Sequence, residues 1–369
     1  MKKILFVANV AKEHINKFHI PTIKEFKNRG WIVDVACAGE DEVPFCDTQF
    51  RGVWKRSPFT LGTLKGIKQL KNIIANGDYD VVYCHTPVGG LIARLASIKA
   101  RKNGTKVIYC AHGFHFFKGA PLINWLIYYP IEKMLSYFTD LIFTINSEDY
   151  ETAKTKFNPK AKIELLPGIG VNFDRLNIDC KQELRKSYRN NLNIPENATV
   201  LIYIAELIKN KNQKMLINTL KELRNRNIDA YLLLVGPDHN NGLYQQMAKD
   251  IGVDKYTRFL GWRSDVGELM YTSDICVASS IREGFGINIV EAMYCGLPVV
   301  ATNNRGHATI VNDGQNGFLV NINDSVKMSE KIITIIENND IYNKLSNLDI
   351  SKYDCDTIAI ELVNIITTV

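Results

Sequence analysis

Short, nearly unbroken apolar runs recur along the chain, each leaving into a polar or glycine-containing stretch and then an amphipathic segment. In the first half the runs at residues 3–7, 32–36, 81–84, 106–111, 141–146 and 163–166 predict β-strands. In the second half, residues 200–205, 231–235, 258–262, 274–280, 299–302 and 317–320 do the same. Segments 20–29, 91–101, 213–223, 243–251, 325–337 and 356–369 carry helical spacing. Strands alternating with helices through short connections predict parallel sheets. Two similar α/β halves result, joined near Pro167-Gly168-Ile169-Gly170-Val171-Asn172, a stretch suited to an inter-domain connection. Its glycines are not followed by the helix start of a dinucleotide fingerprint, which excludes a nicotinamide dehydrogenase.

The most informative unit is a βαβ element in the second half. Asp274-Ile275-Cys276-Val277-Ala278-Ser279-Ser280 reads as a buried strand, Glu283-Gly284-Phe285-Gly286-Ile287 as a glycine turn, and the run to Glu291-Ala292 as a helix. Cys295-Gly296-Leu297-Pro298 ends that helix. Such a turn lies at the carboxyl end of a strand, where open parallel sheets bind ligands. Glycines let backbone amides approach a phosphate or hydroxyl, and the helix start adds partial positive charge. Glu283 and Glu291 stand eight positions apart, about two helical turns, so both can accept hydroxyl hydrogen bonds in one site. Each acid alone also fits an ordinary helix-end or solvated residue; the two together, in this unit, favour a sugar nucleotide.

Composition narrows the class. Of 369 residues, 46% are hydrophobic and 23% charged, which describes a globular protein. The apolar run after Met1-Lys2-Lys3 is too short for a signal peptide, and no segment reaches the roughly 18–20 apolar residues that span a bilayer. The eight cysteines form no CxxC pair and read as reduced small hydrophobes of a cytosolic protein. Residues 1–188 hold 28 Lys+Arg and 18 Asp+Glu; the remaining 17 and 21 (45 less 28, 39 less 18) lie in residues 189–369. A basic first half suits an anionic partner, and a membrane surface fits better than nucleic acid because the charge is dispersed and no recognition motif accompanies it, so no nucleic acid is expected.

Five of the seven histidines fall near the predicted strand ends of the first half: His14, His19, His85, His112 and His115. That clustering suggests function. Without HExxH or other close ligand spacing, no zinc is expected. Residues 121–138 form the most apolar window, with Trp125, Tyr128 and Tyr129 and an interruption at Pro130. It reads either as a buried core helix pair or as a membrane-surface face flanked by Lys118 and Lys133. Asp78-Tyr79-Asp80 and Asp354-Cys355-Asp356 match the metal-diphosphate triplet DxD, but such triplets are common by chance.

Taken in order, Asp265-Val266, Ser273-Asp274, Glu283-Gly284-Phe285-Gly286 with Glu291-Ala292, Gly296-Leu297-Pro298-Val299-Val300-Ala301-Thr302 and Asn316-Gly317-Phe318-Leu319-Val320 resemble family-4 retaining glycosyltransferases. The first half is similar to the bacterial capsular and exopolysaccharide branch. The resemblance implies the α/β GT-B fold: two Rossmann-like, doubly wound parallel-sheet domains facing a central cleft, with a C-terminal helix crossing back. The expected domains are residues 1–175 with helix 356–369 on the acceptor side, and residues 176–355 binding the nucleotide sugar. The implied reaction moves a sugar from a nucleotide donor, with UDP preferred, to a lipid-diphosphate-linked saccharide at the inner face of the cell membrane. It needs no metal or other cofactor and no protein general base, because the leaving phosphate takes the acceptor proton. By resemblance, His112, Lys211 and Glu283 serve catalysis. Glu291 would hold ribose hydroxyls, and Gly284, Phe285, Gly286, Ile287, Gly236 and Gly306 would line the donor site. Arg263 lies in the loop that meets the base. His14, His85 and His115 face the acceptor. Where the family has G-R-L-x-x-x-K, this chain has Ala205-Glu206-Leu207-Ile208-Lys209-Asn210-Lys211, so Glu206 replaces a diphosphate arginine that Lys209 or Arg282 would have to replace. Two rival expectations are a same-fold transferase with a small soluble acceptor and an inactive homologue that supports a partner enzyme.

Overall fold

The computed structural model describes residues 1–54 and 61–369, in two compact units: Met1–Gly170 with Lys352–Val369, and Val171–Ser351. The first unit is a seven-stranded, all-parallel sheet of β1 (Lys3–Val10), β2 (Ile32–Ala38), β3 (Thr48–Arg51), β4 (Val81–His85), β5 (Lys106–Ala111), β6 (Leu141–Thr144) and β7 (Lys162–Leu165). Its order is β3-β2-β1-β4-β5-β6-β7. The second is a six-stranded parallel sheet of β8 (Thr199–Ile204), β9 (Ala230–Val235), β10 (Thr257–Gly261), β11 (Ile275–Ala278), β12 (Val299–Thr302) and β13 (Phe318–Val320). Its order is β10-β9-β8-β11-β12-β13. Both orders reverse direction beside their first strand, at the β1/β4 and β8/β11 boundaries, as in doubly wound nucleotide-binding folds.

Central strands are buried on both faces and therefore read as continuous apolar runs; β4, β9, β11 and β12 have no exposed position. Alternation distributes their side chains to opposite layers. Ile4 and Phe6 join one core with Ile23, Phe26 and Tyr83, while Leu5 and Val7 join the other with Leu70, Ile92, Phe116 and Phe157.

The helix Cys355–Thr367 belongs to the first unit, and its Leu362, Val363 and Ile366 complete the Ile23–Phe26 core. Asp354 caps it, accepting from the amides of Asp356 and Thr357 at 3.0 and 3.1 Å, so this DxD triplet serves helix capping. Asp80 accepts the Lys3 amide at 2.7 Å, at the amino end of the sheet.

Several local expectations change. Strand β3, TQFR, lacks an apolar run because it is an edge strand, and so escapes pattern reading. The helices Leu61–Gly77 and Lys181–Asn191 were likewise not anticipated. Residues 121–138 hold one helix, Leu122–Ser136, with Pro130 inside it, not a helix pair. Trp125, Tyr128 and Tyr129 pack inward against the core, while Leu122, Ile123, Leu126 and Met134 are exposed.

That helix is anchored by charge. Arg94 is fully buried in helix Pro87–Ala96, stacks 3.9 Å from the Tyr109 ring centroid, and donates to Glu132 Oε2 at 2.8 Å. Removing one partner of a buried pair strands the other charge. Glu132→Ala should destabilise the first unit by about 3 kcal/mol, and Glu132→Gln should cost less; an unchanged urea midpoint for Glu132→Ala would contradict the anchor.

Candidate active site

In the second unit the loops that leave β8 and β11 are sewn together. Ile281 N donates to Asn210 O at 2.8 Å, Asn210 Nδ2 to Arg282 O at 3.0 Å, and Ser279 Oγ to Lys211 O at 2.7 Å. Lys211 ends a short 3-10 turn, Lys209–Lys211, and the left-handed Asn212 behind it starts the helix Gln213–Asn225. This geometry turns Lys211 Nζ onto Glu283 Oε1, with both side chains mostly buried.

Glu283 is held from the other side as well. Ser280 Oγ donates to the same Oε1 at 2.6 Å, and Tyr203 OH lies 2.7 Å from Ser280 Oγ. Because Ser280 spends its proton on the carboxylate, Tyr203 is the donor to Ser280. Burial pushes the Tyr203 phenol pKa well up, so it stays protonated in this relay.

The turn after β12 completes the wall. A Cβ at Gly306 would lie 2.7 Å from both Glu283 Cβ and Phe285 O, so only glycine permits this approach. Arg305 Nε reaches the Glu283 carbonyl at 3.4 Å. His307 is buried, with Nδ1 2.9 Å from the Thr302 carbonyl; burial lowers its pKa to about 4 despite Glu283 nearby. At Gly236, with φ +150°, a Cβ would stand 2.2 Å from Ala205 O, so β9 and β8 exit in contact.

Glu291 is buried on helix Ile287–Tyr294, which begins at Gly286. It pairs with Arg175 of the connecting segment, a residue that sequence reasoning did not single out. Phe173 stacks on Tyr294 at 4.3 Å beside that pair. Phe285 is buried, while Gly284 and Ile287 are partly exposed at the turn. Arg263 is clamped by Asp265, whose pKa the guanidinium's hydrogen bonds hold down to about 2. Its neighbour Trp262 is 74% exposed at the end of β10. Glu206 and Lys209 are exposed; Lys211 reaches the Glu283 carboxylate and Arg305 its main-chain carbonyl.

In the first unit, His14, His19, His85 and His112 converge beyond the ends of β1, β4 and β5, at the strand-order reversal. His14 Nε2 and His19 Nε2 are 3.2 Å apart. His19 and His85 ring centroids lie 3.8 Å apart, and those of His14 and His112 lie 4.5 Å apart. Burial lowers the pKa of His14 to about 4 and pushes those of His19, His85 and His112 well below the usual imidazole value. All four are neutral at physiological pH. His115 does not join them: it is exposed and packs on Tyr128, with centroids 4.7 Å apart.

The second unit thus presents a lysine, an arginine, close backbone and two acids, a set suited to an anion beside hydroxyls. The first presents neutral imidazoles able to accept, donate or ligate.

Comparison with known proteins agrees with this division. Residues 3–146 match a family model described as glycosyl transferase 4-like, and residues 185–349 one described as glycosyl transferases group 1. EpsD of Bacillus subtilis (strain 168) is 44% identical over 347 residues, 93% of this chain and 90% of that protein. The UDP-Gal:alpha-D-GlcNAc-diphosphoundecaprenol alpha-1,3-galactosyltransferase of Escherichia coli is 27% identical over 267 residues, 71% of this chain and 67% of that one. Among solved structures, Anabaena HepE in complex with UDP superimposes with a TM-score of 0.80 over 100% of both chains at 20% identity, which places the fold among GT-B glycosyltransferases. Spanned by these two family models and by its likeness to EpsD, the chain belongs to the group 1, glycosyltransferase 4-like family.

Proposed function

We propose that this glycosyltransferase moves a sugar, with retention of anomeric configuration, from a UDP-sugar to a lipid-diphosphate-linked saccharide in exopolysaccharide or capsule assembly. The observation that carries the reading is the Lys211–Glu283–Ser280 arrangement, at the strand ends where α/β sheets bind ligands. Lys211 and Arg305 would neutralise the departing diphosphate, assisted by backbone amides at Gly306 and at the start of helix Ile287–Tyr294. Glu283 would accept sugar hydroxyls and Glu291 ribose hydroxyls. Gly284, Phe285, Gly286 and Gly236 shape the backbone around them, and Trp262-Arg263 is assigned to the base. With cations already present, the transfer needs no metal on the diphosphate. The leaving phosphate takes the acceptor proton, so no protein base is assigned.

UDP is favoured because HepE is known in complex with it and the Escherichia coli relative is named for a UDP-linked donor and a diphosphoundecaprenol acceptor. His112 is assigned to the sugar, and His14 and His85 to the acceptor side; His115, standing apart, is assigned to the acceptor's approach.

A membrane-bound acceptor is supported by helix Leu122–Ser136. Leu122, Ile123, Leu126 and Met134 are 79, 56, 72 and 49% exposed on one stripe, next to Lys133. No helix among the described residues is long and apolar enough to cross a membrane. The stripe therefore fits a surface-lying contact at the inner leaflet, and argues against a small soluble acceptor. Glu206 is the one feature favouring an inactive homologue, and Arg305 beside Glu283 offers the missing charge.

Lys211→Ala and Glu283→Ala should each lower turnover of a UDP-sugar donor by about 100-fold or more with secondary structure unchanged by circular dichroism; near-normal rates in both would remove the assignment. Calorimetry without added metal should show UDP binding that Glu291→Ala weakens about tenfold, and absence of any nucleotide binding would move the inactive homologue to the front. Leu126→Asp should reduce co-sedimentation with anionic vesicles while sparing UDP affinity. Equal vesicle binding by the variant would place the membrane contact elsewhere.

A further inference from the structure

Four imidazoles from three chain segments meet in one cluster, and three of their eight ring nitrogens find nothing to bond among the described residues. His14 sits in the wide turn Ala11–Ile15, His19 immediately before helix Ile20–Asn28, His85 at the last position of β4, and His112 just past β5. One ligand atom from each lies within 4.8 Å of the others. Both ring nitrogens of the fully buried His85, and Nε2 of His112, find no hydrogen-bond partner among the described residues. Buried polar atoms of native proteins are nearly always satisfied, so orphaned nitrogens on two rings of this cluster point to an absent occupant.

We propose that His14, His19, His85 and His112 bind one divalent transition-metal ion of the zinc class. Zinc bonds to imidazole nitrogen at about 2.0–2.1 Å in tetrahedral sites, which sets neighbouring nitrogens about 3.4 Å apart. The His14–His19 pair already stands at 3.2 Å. Imidazole suits zinc, copper and nickel; zinc is favoured because four imidazoles come together and, among the described residues, no carboxylate or thiolate joins them. The surroundings are aromatic: the Tyr83 ring lies 4.2 Å from that of His85, and the Phe6 ring, itself against Tyr83, stacks on His85 at 6.1 Å.

Four protein ligands leave no open coordination position, which makes the site structural. It would fasten the turn after β1 to the ends of β4 and β5, fixing the strand-order reversal of the first sheet. Each ring gives one nitrogen and keeps the other, so His112 retains a nitrogen for substrate. The ion is separate from the diphosphate chemistry, and this inference does not rest on the proposed transfer. Sequence spacing hid the site because its ligands come from positions 14, 19, 85 and 112.

The test uses the full chain, stripped with a chelator and titrated with zinc or cobalt(II). Uptake of one ion per chain, the intense visible bands of tetrahedral nitrogen-bound cobalt, and a melting temperature raised by zinc are expected. His19→Gln and His85→Gln should each weaken binding about 10–100-fold and remove the zinc-dependent rise in melting temperature. Should either variant fail to fold, X-ray absorption on the zinc-loaded natural chain decides. A first shell of four imidazole nitrogens supports the site. An oxygen-rich shell, uptake unaltered in a folded variant, or no stoichiometric uptake overturns it.

Discussion

In a parallel sheet every strand ends at the same edge, and that constraint governs the rest of this molecule. Where the strand order reverses, the connecting segments leave toward opposite faces and cannot fill the space between them. Both units have such a gap, at β1/β4 and at β8/β11. The first is lined by the four histidines and the second by Lys211, Ser280 and Glu283. The chemistry-bearing side chains lie beyond the carboxyl ends, while ion pairs such as Asp274 with Arg185 and Arg189 secure the amino end, where the Val200 amide also donates to Asp274 at 2.7 Å.

The acids of the second unit do not wait in solvent. Glu283 is engaged by Lys211 and Ser280, and Glu291 by Arg175. A ligand entering this site exchanges internal partners for its own, so its affinity is a difference between two sets of charge-assisted bonds. Such pairing also keeps buried carboxylates from standing alone, which would be costly. The Tyr203–Ser280–Glu283 relay fixes one carboxylate oxygen independently of the lysine.

Much of this was legible in the residues. Central strands buried on both faces are apolar over most of their length, so β4, β5, β9, β11 and β12 stand out, and the glycine turn between Glu283 and Glu291 announces its βαβ unit. What escaped reading depends on contacts rather than local pattern. Strand β3 has only an edge to occupy, and Pro130 suggested a break that the helix tolerates. Arg175 meets Glu291 across 116 positions, a distance that periodicity cannot bridge. His115 shares its segment with His112 yet turns outward, whereas His19, assigned no role, turns into the cluster.

The helix Cys355–Thr367 has a temporal meaning. Its Leu362, Val363 and Ile366 close the core that Phe6, Ile23 and Phe26 open, although some 180 residues of the other unit are made in between. During synthesis the first unit emerges with one wall missing and keeps apolar surface uncovered while Val171–Ser351 is produced. The first half to be made is therefore the last to be finished.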